Sequence, residues 1–241
     1  MRLRDRIATP EGKAPYVRSL FATIADRYDD ITVWLSYGQD RRWKRRLVGL
    51  AGELAGRSVV DLACGTGDLA FLAAARGAIV TGLDITPRMI ELARRRARQD
   101  AAAAGVTPRF LVGDMCALPF PARSFDVVTT GYGLRNVPDL SQAIREAARV
   151  LRPGGRLLSL DFNRPSSPAL RAAYLTYLTA VGTTLGLALH GDADTYRYIP
   201  ESIRHYPGAP AVAALMRAEG FAGASWQPVL GGLMAIHVAR R

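Results

Sequence analysis

The residues best placed to do chemistry lie at 59–68, Val59-Val60-Asp61-Leu62-Ala63-Cys64-Gly65-Thr66-Gly67-Asp68. An apolar run stops at Asp61, turns through Gly65 and Gly67, and gives way at Asp68 to the helical pattern Leu69-Ala70-Phe71-Leu72-Ala73. Glycines lack a Cβ, so the backbone there can turn tightly and approach a ligand closely. A second apolar run, Ala78-Ile79-Val80-Thr81-Gly82-Leu83, closes on Asp84, 19 residues beyond Gly65. At about that interval a nucleotide-binding fold sets a carboxylate on a ribose hydroxyl. A third run, Arg109-Phe110-Leu111-Val112-Gly113, ends on Asp114 with Met115 next.

Gly65-Thr66-Gly67-Asp68-Leu69-Ala70 satisfies the loose form of a dinucleotide fingerprint. Asp61 and Asp68 count against NAD, because acids flank the place where a pyrophosphate needs a positive field. Three strands ending in acids suit a ligand with no phosphate, a ribose diol and a cationic amino-acid tail. S-adenosylmethionine has that chemistry. The spacing places Asp61 or Asp68 near its ammonium, Asp84 on the ribose, and Asp114 and Met115 at the adenine, with Gly65 and Gly67 beneath it. Any one of these acids alone is an ordinary strand-end or cap residue. Their order and intervals together point to a class I methyltransferase.

The elements that position these residues alternate. Strands are predicted at 59–62, 79–83, 110–112, 125–130 and 156–160, the last following an Arg152-Pro153-Gly154-Gly155 turn and ending at Asp161. A helix at 140–150 precedes that turn, and strands at 224–229 and 233–238 are joined by Leu230-Gly231-Gly232. That last link is too short for a parallel crossover. The expected fold is therefore α/β and Rossmann-like: a mostly parallel seven-stranded sheet, one strand antiparallel, helices on both faces. Ligands belong at the carboxyl ends of its strands. One domain spans 1–241, with an N-terminal helical cap over 1–50 and a lid insertion at 162–207 between the fifth and sixth strands.

Within the insertion, residues 172–189 carry no charge, a length at which a membrane-spanning helix must be weighed. Its threonines and glycines, and the return of the chain to the same sheet, argue for a helix packed on the domain. Tyr174, Leu178, Val181, Leu185 and Leu189 fall at helical spacing and give it one apolar face, suited to a greasy substrate.

Composition is that of a globular enzyme, 49% hydrophobic and 22% charged. Met1-Arg2-Leu3-Arg4-Asp5-Arg6 leads into no apolar run, so no secretory signal is read, and a cytoplasmic setting is expected. Two cysteines, Cys64 and Cys116, and three dispersed histidines support neither a disulfide framework nor a metal site. The net charge of +11 concentrates at Arg41-Arg42-Trp43-Lys44-Arg45-Arg46 and Arg94-Arg95-Arg96-Ala97-Arg98. The second cluster reads as a solvated helix face. The first, with Trp43 at the interface, reads as peripheral contact with an anionic membrane, and no nucleic-acid module accompanies either. A homodimer stays open.

Four blocks resemble the bacterial ubiquinone/menaquinone biosynthesis C-methyltransferases. They are Phe21-Ala22-Thr23-Ile24-Ala25-Asp26-Arg27-Tyr28-Asp29 with Leu35-Ser36-Tyr37-Gly38 and Trp43-Lys44-Arg45; residues 61–68; Tyr132-Gly133-Leu134-Arg135-Asn136-Val137; and Tyr196-Arg197-Tyr198-Ile199-Pro200-Glu201-Ser202-Ile203 before Tyr206-Pro207. The glycine block is common to many methyltransferases, whereas Gly-Leu-Arg-Asn-Val and Tyr-Ile-Pro-Glu-Ser are more specific. The resemblance implies cofactor contacts at Thr66, Asp84, Asp114, Met115 and Gly131, where relatives often carry serine. It also implies C-methylation of a polyprenylated hydroquinone, with demethylmenaquinol favoured. Methylation of another small aromatic or a phospholipid amine, or a non-catalytic scaffold, are the competing readings.

That chemistry needs an ionised phenol beside the accepting carbon. Arg135 suits a developing phenolate, since guanidinium stays cationic and donates several hydrogen bonds. Asn136 can orient the quinol oxygen or a water. Tyr28, Tyr198 and Glu201 are the other polar candidates for proton relay or substrate orientation.

Overall fold

The computed structural model describes residues 7, 9–36, 38–100 and 107–241. Residues 1–6 and Tyr37 of the Leu35–Gly38 block lie outside them. Seven strands form one sheet, β1 (Ser58–Leu62), β2 (Ile79–Asp84), β3 (Arg109–Val112), β4 (Phe125–Gly131), β5 (Leu151–Phe162), β6 (Gly223–Val229) and β7 (Met234–Arg240), in the order β3-β2-β1-β4-β5-β7-β6. Every pairing among β1 to β5 is parallel, and β7 runs antiparallel to both β5 and β6. The strand order reverses between β1 and β4, the point where such sheets open a crevice at their carboxyl ends. Asp61, Asp84 and Gly131 stand at that edge.

Nine α-helices of the described residues cover the sheet: α1 (Pro10–Ile24), α2 (Tyr28–Leu35), α3 (Asp40–Gly49), α4 (Asp68–Ala74), α5 (Pro87–Asp100), α6 (Leu140–Val150), α7 (Pro168–His190), α8 (Asp194–His205) and α9 (Ala209–Ala218). Val59, Val60 and Leu62 of β1 are wholly buried because both faces of the strand are packed. One core joins the sheet to α3, α4 and α5 through Leu47, Ala70 and Ile90. The other joins it to α6 and α9 through Ile144, Val212 and Met216. A separate cluster fastens the N-terminal helices to α8, with Val17, Leu20, Ile24 and Ile31 against Tyr196 and Tyr198.

Four expectations change. Residues 152–155 do not leave the sheet as a free turn. They belong to β5, where the register against β4 shifts between Phe125 and Val127, so the Pro-Gly-Gly segment is an irregularity inside a strand. The packed face of α7 keeps Tyr174, Leu178, Leu185 and Leu189 of the expected stripe, while Val181 joins neither cluster and Leu175, Gly182 and Gly186 are buried in addition. A Cβ on Gly182 would lie 2.9 Å from the Tyr196 carbonyl oxygen, so the glycines let α8 approach closely. Trp43 is 6% exposed and packs in the core, and Lys44 is also buried, so neither can meet lipid. Last, the basic run on α5 is only partly a solvated face: Arg94 donates twice to the Phe110 carbonyl, and Arg96 reaches Asp68 at 2.6 Å.

Candidate active site

The turn after β1 folds as its glycines require. Gly65 and Gly67 adopt left-handed backbone at φ 53° and 94°, and a Cβ on Gly67 would meet the Phe110 ring at 2.8 Å. Asp84 holds the turn in place. One carboxylate oxygen accepts from the Gly65 amide at 2.9 Å and the other from the Thr86 amide at 2.8 Å. Burial raises the Asp84 pKa, and those two amides oppose the shift.

A cleft opens from this turn along the ends of β1, β2 and β4. Its walls include Gly65, Asp84, Ile85, Met89, Asp114, Met115 and Gly131, roofed by Ala14, Val17 and Phe21 of α1. Among the described residues, two acids and no lysine or arginine line it. A pyrophosphate has no cation to meet there, whereas an uncharged adenosine with a sulfonium fits. Asp114 accepts from the Cys116 amide at 2.8 Å, which fixes its carboxylate beside Met115.

Beyond Gly65 the cleft continues into a smaller cavity lined by Tyr28, Lys44, Asp61, Thr66, Asp68, Gly131 and Tyr132, among others. Asp61 is 1% exposed and accepts from the Thr129 hydroxyl at 2.8 Å. Burial pushes its pKa up to about 7. Asp68 is the opposite case. Burial works against its charge, but Lys44 at 2.8 Å and Arg96 at 2.6 Å hold it down to about 2. Thr66 donates to Asp29 at 2.6 Å, tying the turn to α2.

A second cavity, of about 410 Å³, lies beside the cleft and shares Phe21, Tyr28 and Tyr132 with it. Its walls are largely apolar: Leu20, Ile24, Phe162, Tyr174, Leu178, Tyr196, Ile199 and Leu233, with Arg135 and Tyr198 among them. Arg135 is buried at 6% exposure and closely held. Its Nε lies 3.1 Å from Asp161, and its Nη1 donates to Asn136 at 3.0 Å and to the Ser202 hydroxyl at 2.9 Å. The guanidinium stacks 4.8 Å from the Phe162 ring centre. Nη2 has no hydrogen-bond acceptor among the described residues. Asn136 in turn donates to the Tyr132 carbonyl at 2.7 Å and accepts from the Tyr198 hydroxyl at 2.9 Å. Burial raises the pKa of Tyr28 to about 12 and lifts that of Tyr198 as well.

The family model of the ubiE/COQ5 methyltransferases matches residues 9–241. This chain belongs to the ubiE/COQ5 methyltransferase family. It is 44% identical over 224 residues to a demethylmenaquinone methyltransferase of Thermus thermophilus, covering 92% of this chain and 100% of the relative. It is 38% identical over 231 residues to a ubiquinone/menaquinone biosynthesis C-methyltransferase of Roseobacter denitrificans, covering 95% and 92%. Among solved structures, magnesium protoporphyrin IX methyltransferase from Synechocystis with bound SAH superposes with a TM-score of 0.66 at 21% identity, covering 95% of this chain and 99% of that one. A methyltransferase from Thermotoga maritima gives a TM-score of 0.63 at 19% identity, covering 92% and 98%. The fold is that of S-adenosylmethionine-dependent methyltransferases, and the chain is a C-methyltransferase of quinone biosynthesis that uses S-adenosylmethionine.

Within this family member the expected residues separate into groups. Gly65, Asp84, Asp114, Met115 and Gly131 line the cleft, and Asp61 and Thr66 line its extension. Gly67 lines neither and instead makes room for Phe110. Arg135, Asn136, Tyr198 and Tyr28 meet where the two cavities join. Glu201 lines neither cavity and sits 3.7 Å from Arg204 on α8. Several partners escaped the sequence reading. Lys13 donates to the Arg135 carbonyl at 2.9 Å across 122 residues of chain, and burial with the nearby Arg135 lowers its pKa to about 8. Tyr132, at a strained φ of 60°, donates to Asp40 at 2.6 Å, and Asp40 in turn holds Lys44 at 2.6 Å. Only the Asp40–Lys44 pair had a sequence signal, the i,i+4 spacing of acid and lysine on one helix.

Proposed function

We propose that this chain transfers a methyl group from S-adenosylmethionine to a ring carbon of a polyprenylated hydroquinone, with demethylmenaquinol as substrate and menaquinol as product. One observation carries the reading. The cofactor cleft adjoins, at Phe21, Tyr28 and Tyr132, an apolar cavity whose wall holds a buried arginine. When bound, S-adenosylmethionine supplies an electrophilic methyl on a sulfonium. The chain's own residues must favour the phenolate and hold the ring in line. The uncommitted Nη2 of the Arg135 guanidinium is the donor available to a quinol oxygen. In an apolar cavity such a donor is worth far more than in water. Asn136, fixed by three partners, holds the Arg135 side chain in register. The raised phenol pKa values of Tyr28 and Tyr198 make them donors at neutral pH rather than bases.

A prenylated quinol lies in a bilayer, and the mouth of the apolar cavity is suited to meet one. Tyr177 and Leu230 both line the cavity and are exposed, and Trp34 on α2 is 58% exposed next to the lining residues Ile31 and Thr32. Along the outer side of α7, Leu170, Ala173, Tyr177, Ala180, Thr184 and Leu187 are all exposed and carry no charge. Arg41, Arg42, Arg45 and Arg46 are exposed on α3, and Arg46 bonds Gln227 of β6 at 2.6 Å, close to the Leu230 hairpin. Together they support a cytoplasmic protein that works peripherally on the inner face of the cytoplasmic membrane. The deciding experiment is an anaerobic assay with labelled methyl donor and demethylmenaquinol, paired with lipid analysis of a deletion strain. Labelled menaquinol and accumulated demethylmenaquinone are expected. Label in a benzoquinol or a phospholipid, with normal menaquinone in the mutant, overturns the substrate assignment.

A further inference from the structure

The smaller cavity beyond Gly65 has a volume of about 20 Å³, room for roughly one water-sized group. It therefore takes the end of a ligand rather than a ligand of its own. Gly65, Gly131, Tyr28 and Tyr132 belong to both its wall and that of the adenosine cleft, so the end it takes comes from the molecule lying there. Its wall carries charges of both signs, Asp61 and Asp68 against Lys44. None of the four exposed arginines of α3 lines it.

Lys44 is the unusual member. Its ammonium is buried, with one N–H directed to Asp40 at 2.6 Å and another to Asp68 at 2.8 Å. The third has no acceptor among the described residues, and the nitrogen stands 5.7 Å from the Tyr132 ring centre. Burial disfavours its charge, but Asp68 and Asp40 outweigh burial and raise its pKa. So a permanent cation with one donor in hand faces a space that fits a small polar terminus.

We infer that Lys44 binds the methionine carboxylate of S-adenosylmethionine, while Asp61 across the same cavity takes the ammonium. The inference rests on the reading of the chain as an S-adenosylmethionine enzyme and adds the residue that recognises the zwitterionic tail. A zwitterion needs one partner of each sign, and among the described residues lining this cavity Lys44 is the only cation. Asp68 is already shared between Lys44 and Arg96, which leaves Asp61 as the acid with spare charge to offer.

Calorimetric titration of the full chain with S-adenosylmethionine, decarboxylated S-adenosylmethionine and methylthioadenosine tests this without any turnover. The wild type should prefer S-adenosylmethionine over its decarboxylated form about tenfold or more, the worth of a charge-assisted hydrogen bond. In Lys44→Gln that preference should fall to about twofold, with the decarboxylated ligand binding as before. Asp40→Asn should widen the preference, because it removes a competing carboxylate while its amide oxygen still accepts from Tyr132. If Lys44→Gln weakens all three ligands equally, or leaves the preference intact, Lys44 is a structural counterion. Should Lys44→Gln lack a cooperative melt, Asp40→Asn decides alone, and an unchanged or narrowed preference overturns the inference. A wild type that binds none of the three ligands sinks the cofactor reading itself.

Discussion

Tyr198 donates its hydroxyl hydrogen to the side-chain oxygen of Asn136 at 2.9 Å, the same oxygen that accepts from Arg135 Nη1 at 3.0 Å. Two helical segments distant in sequence thus converge on one amide. Asn136 faces the cofactor cleft and Tyr198 the apolar cavity, so the bond spans the boundary between them.

Removing the Tyr198 hydroxyl in Tyr198→Phe should cost about 1 kcal/mol of stability, the net worth of one buried hydrogen bond. Turnover should fall further, by roughly tenfold, because Asn136 loses a constraint on its orientation. Cofactor affinity should hardly change. Thermal melts, single-turnover rates and calorimetry separate the three, and equal loss in rate and cofactor affinity would place Tyr198 in the cofactor site instead.

Arg135→Lys keeps a charge near Asp161 but loses the planar fork that reaches Asn136 and Ser202 while leaving Nη2 for a ligand. We expect turnover to drop by about 10²-fold, with cofactor affinity within a few-fold of wild type. Arg135→Ala should destabilise the protein by about 3–5 kcal/mol, since Asp161 is left buried without its partner. Near-normal turnover in the lysine variant would show that Arg135 serves only Asp161.

The outcome for Asp84→Ala differs from what the sequence alone implies. A ribose-binding acid could be removed at the cost of affinity only, about one to two decades for a lost charge-assisted bond. Here the same carboxylate also satisfies the Gly65 and Thr86 amides. Stability should therefore fall as well, by about 1–3 kcal/mol. Asp84→Asn, which keeps one acceptor oxygen, should recover part of the stability and little of the affinity. An alanine variant as stable as wild type contradicts the role of Asp84 in holding the turn.

The residues that were legible in the sequence are those whose function is local. The apolar runs that stop at or just before Asp61, Asp84, Asp114 and Asp161 mark four of the strands, so the mostly parallel sheet and the acids at its carboxyl edge follow from short segments. Residues 152–155 misled because Pro-Gly-Gly chemistry is the same in a turn and in a strand irregularity. Trp43 and Lys44 misled for a different reason. Their run looks like a surface patch, and although Asp40 stands four residues before Lys44, the second acid that lets it be buried, Asp68, stands 24 residues away. In α7 periodicity finds Tyr174, Leu178, Leu185 and Leu189, but the close contact with α8 is made at Gly182 and Gly186, which hydrophobic periodicity does not register. Lys13 and Asp161 reach Arg135 only through tertiary structure, so no spacing announces them.

Asp61 makes cofactor binding sensitive to pH. Burial holds its pKa near 7 in the free protein, and a bound ammonium must pull it back toward the carboxylate range of about 4. Binding below pH 7 then releases a proton, so affinity should rise with pH up to about 7 and fall again above about 8, where the ligand's own α-amino group loses its proton. Calorimetry in two buffers of different ionisation enthalpy should count close to one proton released near pH 6 and net proton uptake near pH 8.5. Asp61→Asn should flatten the dependence. A wild type whose affinity is flat between pH 5 and 7, or falls as pH rises through that window, would remove Asp61 from the ammonium site.

Membrane contact should require two surfaces rather than the basic run alone. Each exposed arginine on α3 contributes ~1 kcal/mol near anionic lipid, and that attraction is screened as salt rises. Trp43 and Lys44 are buried and contribute nothing at the interface. Apolar contact must come from Trp34, Tyr177, Leu187 and Leu230, which are exposed. Flotation with anionic vesicles should therefore be partly salt-resistant. Neutralising Arg41, Arg42, Arg45 and Arg46 should remove the salt-sensitive part, and Trp34→Ser with Leu187→Ser should remove the remainder. Cofactor affinity should be unaffected in both sets, because none of these residues lines the cofactor cleft. If the serine pair floats as well as wild type at high salt, the outer face of α7 is ordinary solvated surface. If neutral and anionic vesicles bind the wild type equally, the arginines of α3 have no part in docking.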